Sequence, residues 1–122
     1  MQLDRETVGG NFIRSFSPGE LRINDAVYAG HVIITPDAVV ENWSPAEITS
    51  LSIADFDAAL SASPELIVFG TGVRQVFPPA TVTTEILRRG IGFEVMDTTA
   101  ACRTFNVLIG DGRRIVAALL IR

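Results

Sequence analysis

With 122 residues, 48% of them apolar and 20% charged, the chain is long enough for one domain with a real core and too hydrophobic for disorder. Its net charge of −4 leaves no electrostatic footprint for DNA or RNA, whose recognition draws on clustered cations. All ten basic residues are arginines, which excludes Schiff-base chemistry, a pyridoxal phosphate attachment and the lysine of a P-loop, and the lone Cys102 excludes an internal disulfide and a multi-cysteine zinc site.

The start, Met1-Gln2-Leu3-Asp4-Arg5-Glu6, carries acids and no following apolar core, so it reads as neither a signal peptide nor a transit peptide. The longest apolar run, Ile115 to Ile121, is far short of the roughly 18 to 20 residues that span a bilayer. A soluble, cytoplasmic protein without membrane insertion is expected.

The first third is strand-like and punctuated by turns: Asn11 to Phe16, Ser17-Pro18-Gly19-Glu20, Leu21-Arg22-Ile23, Asn24-Asp25, Ala26-Val27-Tyr28, Gly30 and Val32-Ile33-Ile34. Leu21 and Ile23 alternate with Arg22, which predicts antiparallel hairpins. Val39 to Trp43 follows as a short fourth strand or an extended arm. Ser52-Ile53-Ala54-Asp55 has the spacing of a capping box, with Ile53, Phe56 and Leu60 as the buried stripe of a first helix that Pro64 ends. Leu66-Ile67-Val68-Phe69 is too short for a helix and is bounded by breakers, so it predicts a central strand.

A second helix is predicted over Ala80 to Arg89, with Pro79 near its first turn and Gly90 beyond its cationic end. Gly92 to Met96 reads as a strand. A third helix starts near Thr98 and places Ala101, Phe105, Leu108 and Ile109 on one face until Gly110-Asp111-Gly112 stops it. Ile115 to Ile121 is apolar throughout, the pattern of a strand buried on both faces. Together these predict one α/β domain over residues 1–122: a central mixed sheet with parallel strands joined by helices, antiparallel N-terminal strands and three helices.

Strands that alternate with helices after Leu66 put polar loops at carboxyl ends, where open α/β sheets hold ligands. Gly70-Thr71-Gly72 offers amides to a carboxylate or phosphate and Arg74 supplies charge, but the third glycine and immediate helix of a dinucleotide fingerprint are missing; a turn needed only for backbone geometry explains it equally. Asp97 or Thr98 is positioned to cap the third helix, and the amides beyond can serve the cap or an anion. Arg103 and Asn106 share a face away from Phe105, and an asparagine in mid-helix calls for a compensating bond, either tertiary or to a ligand. Cys102 lies near a helix start, where a thiol can be activated, although a buried small hydrophobe is the commoner role. His31 has no placement beside a nucleophile, no G-x-S-x-G motif occurs, and Trp43 and Tyr28 read as core or rim residues.

Gly70-Thr71-Gly72, Pro78-Pro79, Gly90-Ile91-Gly92, and Met96-Asp97-Thr98 with Ala101-Cys102-Arg103-Thr104-Phe105-Asn106 resemble the respiratory complex I assembly factor 3 family. That family also includes the adipogenesis-associated domain protein and bacterial relatives. Tyr28-Ala29-Gly30, Thr35-Pro36 and Trp43 fit as well; the family often has tyrosine where this chain has Phe105. The resemblance implies a three-layer α/β fold and, with the poverty of catalytic groups, points to a non-catalytic accessory protein with a protein partner; no cofactor or metal is expected. Its alternative is a small-molecule or anion-binding protein, enzymatic or sensory, with a cleft between the Gly70–Gly72 loop and the Thr98 to Asn106 segment; a purely structural oligomer is the third reading.

Overall fold

The computed structural model describes residues 10–122; the segment read for targeting signals, Met1 to Glu6, lies outside the described residues. Eight strands follow in order: β1 (Ile13–Ser17), β2 (Glu20–Ile23), β3 (Ala26–Tyr28), β4 (Val32–Ile34), β5 (Val39–Val40), β6 (Leu66–Gly70), β7 (Gly92–Met96) and β8 (Ile115–Leu119). The helices are α1 (Asp57–Leu60), α2 (Ala80–Arg88) and α3 (Thr98–Ile109).

The central sheet runs β5-β4-β8-β6-β7. In it β6 is parallel to both β7 and β8, while β4 and β5 add antiparallel pairs. The crossover through α2 moves outward from β6 to β7, and that through α3 returns across β6 to β8. Right-handed crossovers in opposite directions place their helices on opposite faces. The packing agrees: Val82 and Ile86 of α2 join Ile67, Phe69, Val116 and Ala118 on one face, whereas Ala101, Cys102 and Phe105 of α3 join Leu66, Val68, Ala117 and Leu119 on the other. The continuous apolar runs at β6 and β8 thus divide, residue by residue, between two cores.

The N-terminal strands divide where the sequence predicts one antiparallel section. β1, β2 and β3 form a separate antiparallel sheet, and only β4 and β5 join the central one. Ile13, Leu21 and Ile23 turn this small sheet onto the α3 side of the core. Asn11 fastens its entry, donating through Nδ2 to the carbonyls of Thr35 (2.8 Å) and Ala38 (2.9 Å).

On the opposite face, Trp43, Phe56, Phe69 and Phe93 pack with ring centroids 5.3 to 6.2 Å apart. Each such pair is worth about 0.5–1.5 kcal/mol beyond area burial. Beside this cluster the first helix departs from the expectation. The expected box forms, with Asp55 Oδ2 accepting from the Ser52 amide at 2.9 Å, yet Ile53–Phe56 is a 3-10 turn before the four-residue α1. The Asp55 carbonyl within this turn accepts the Trp43 indole Nε1–H at 2.8 Å, which ties the turn to the aromatic cluster.

Candidate functional site

The parallel strands bring Gly70, Thr71 and Gly72 beside the start of α3, and the contact is direct. Gly72 N–H donates to Thr98 Oγ1 at 2.8 Å, Thr98 Oγ1–H donates to the Leu120 carbonyl at 2.7 Å, and Thr98 N–H donates to the Gly72 carbonyl at 2.8 Å. Thr98 is 0% exposed. Its hydroxyl therefore bridges the β6 loop, α3 and the end of β8 with both its donor and an acceptor position committed.

The rest of the loop is equally occupied. Thr71 N–H reaches the Met96 carbonyl at 2.9 Å, while its hydroxyl donates to the Arg74 carbonyl and accepts from the Val76 amide. Gly72 has φ +101°, and a Cβ there would stand 2.8 Å from the Arg122 carbonyl oxygen. At Gly70 an added Cβ would meet Leu119, Ala101 and the Thr98 hydroxyl at 2.9 to 3.0 Å. Both glycines are thus explained by backbone conformation and close approach. Asp97 is the helix cap, accepting from the Ala100 amide at 2.9 Å. Arg74 projects from the exposed stretch that follows.

Arg103 and Asn106 lie elsewhere. They line a cavity of about 300 Å³ between α3 and β1, with Arg14, Ser15 and Phe16 on the strand side and Thr99 beside them on the helix. Asn106 is tied into the fold, its Oδ1 accepting from Ile13 N–H at 2.9 Å and its Nδ2 donating to the Ile13 carbonyl at 2.8 Å. The tertiary bond called for by a mid-helix asparagine is present, twice over. A second hollow of about 230 Å³ lies along α3 at Thr104, Val107 and Leu108, and Arg103 borders both. So the eight residues picked from the sequence sit at two places: Gly70, Thr71, Gly72, Arg74, Asp97 and Thr98 at the carboxyl end of β6 and β7, Arg103 and Asn106 in the α3–β1 groove.

Cys102 borders that groove at 8% exposure. Burial, followed by the nearby Asp97 carboxylate, pushes its thiol pKa up to about 12 against a smaller opposing backbone hydrogen bond. It is a buried small hydrophobe rather than an activated thiol. His31 accepts the Ile121 N–H at Nδ1 (2.9 Å), which requires the neutral ring, and partial burial with the Arg122 charge lowers its pKa. Among the described residues no three His, Cys, Asp or Glu side chains gather to hold a metal ion.

Arg14, Phe16, Thr99 and Val107 escaped the sequence reading. Thr99, Arg103 and Val107 recur every fourth residue and are all exposed, opposite the Phe105 stripe; that spacing was the available signal.

These features define a small three-layer α/β protein with a sealed loop at its strand ends and an open groove along its last helix. The chain belongs to the family described as "Protein of unknown function (DUF498/DUF598)", whose model matches residues 13–120. A zebrafish (Danio rerio) protein, NADH dehydrogenase (ubiquinone) 1 alpha subcomplex assembly factor 3, is 33% identical over 120 residues, covering 97% of this chain and 68% of that protein. The resemblance seen in the Gly70 loop and the Asp97 to Asn106 segment thus extends over nearly the whole chain. Among solved structures, a Xanthomonas campestris protein is 37% identical with TM-score 0.82, covering 91% of this chain and 84% of that one. A Bordetella parapertussis protein is 31% identical with TM-score 0.85, covering 94% and 98%. No helix among the described residues is long and apolar enough to cross a membrane.

Proposed function

We propose that residues 1–122 act as one domain, a non-catalytic cytoplasmic accessory protein that binds a protein partner during assembly of an NADH dehydrogenase. The observation that carries this reading is the 33% identity with the zebrafish assembly factor over 97% of the chain. The internal hydrogen bonding of the Gly70–Gly72 loop and Thr98 supports it, because the Thr71, Gly72 and Thr98 amides and the Thr98 hydroxyl already have partners. The raised thiol pKa of Cys102 and the engaged Nδ1 of His31 point the same way.

Depletion of the protein in its host tests the reading. Native gels should show less assembled NADH dehydrogenase and more partial assemblies, with wild-type protein restoring the pattern; an unchanged amount of assembled enzyme would count against it.

A further inference from the structure

We propose that the α3–β1 groove and the apolar hollow beside it form the docking surface for an acidic, apolar-flanked segment of the protein partner, with a carboxylate on Arg103 and a neighbouring apolar side chain against Val107 and Leu108. The inference rests on the partner-binding reading and adds the surface and the chemistry of what it receives.

Charge is the first ground. Arg88 and Arg89 pair with Glu85, Arg113 with Glu65 and Arg122 with Glu47. Arg103 has no ion pair among the described residues, although it stands on the wall common to two hollows of about 300 and 230 Å³. The nearest acid in sequence, Asp97, is engaged by the Ala100 amide. A guanidinium offers a planar fork that matches a carboxylate, so an acidic side chain is its complement.

Shape is the second ground. An ion pair at an exposed rim binds weakly by itself, so a stable contact also needs apolar surface removed from water. That surface is adjacent: Val107 is 65% exposed and opens the hollow that Leu108 floors. The walls are fixed beforehand. Phe105 is fully buried on the opposite side of the helix, and both Asn106 bonds clamp α3 to β1, so little ordering remains to oppose binding.

The test is selection of a displayed random-peptide library on the intact protein, with fluorescence anisotropy and amide chemical-shift mapping of the enriched peptides. Enriched sequences should share Asp or Glu within two positions of Leu, Ile, Val or Phe, and should shift Thr99, Arg103 and Val107. Arg103→Glu and Val107→Asp should each weaken binding about tenfold or more, whereas Arg74→Glu, on the exposed loop after Gly72, should stay within about twofold. Melting curves verify that the variants are folded, and Arg103→Gln replaces Arg103→Glu if reversal disturbs folding. No enrichment, a neutral or basic consensus, full binding by folded Arg103 variants, or equal binding of free glutarate would each overturn the proposal. Separate readouts distinguish the two readings: if groove variants fully restore NADH dehydrogenase in depleted cells, the groove falls and the assembly role stands. If depletion leaves the enzyme unchanged while peptides still map to Arg103, the assembly role falls and the groove stands.

Discussion

The junction of the Gly70–Gly72 loop with Thr98 and the groove between α3 and β1 use similar materials to opposite ends. At the junction each polar group described finds its partner inside the molecule: Thr98 alone connects Gly72 and Leu120 through one hydroxyl. In the groove Asn106 is committed to the Ile13 backbone, while Arg103 and Val107 face outward. Polar residues at the end of a buried strand are therefore as readily mortar as machinery. What separates the two is whether hydrogen-bonding capacity is left over after folding.

Substitutions can break this contrast. Thr98→Val keeps the side-chain shape but leaves the Gly72 amide and Leu120 carbonyl without their partner, and should cost about 2–4 kcal/mol in urea unfolding. Gly72→Ala follows at about 1–3 kcal/mol, because its φ of +101° and the Arg122 carbonyl both oppose a Cβ. Asn106→Ala should cost about 1–2 kcal/mol through the Ile13 backbone. Arg103→Ala, one turn away, should change stability by less than about 0.5 kcal/mol. Equal losses at Arg103 and Asn106 would erase the distinction between open and committed residues.

His31 sharpens the comparison through pH. Its folded pKa lies below the ordinary 6.5, so the unfolded chain takes up the proton first. The stability contributed by the neutral ring is fully present above about pH 6.5 and declines as pH falls toward the folded value. Stability measured from pH 7.5 down to 5 should show this loss, and His31→Asn, which retains an acceptor for the Ile121 amide, should reduce the slope.

Much of the architecture was legible because it is written locally. The buried runs at Leu66–Phe69 and Ile115–Ile121, the Asp97 cap and the glycines after Ile109 depend on neighbours within a turn or two, and the elements appear where those signals lie. The separation of β1 to β3 from the central sheet, and the insertion of β8 between β4 and β6, depend on pairings between distant segments. The Thr98 bridge is similar: its partners are 26 and 22 residues away. A threonine at a helix start looks the same in sequence whether its hydroxyl meets a ligand or a loop. The first helix shows the reverse limit: the Ser52 box forms as its spacing predicts, yet Ile53–Phe56 is a 3-10 turn whose Asp55 carbonyl meets Trp43, 12 residues away.

Asn106 has a further consequence. Among the described residues β1 is the outer strand of its sheet, and the carboxamide occupies both hydrogen-bonding positions that Ile13 turns away from β2. One side chain thus imitates a neighbouring strand and blunts a margin onto which other copies could polymerise. Its removal would be felt in the shelf life of concentrated solutions as well as in the melting curve.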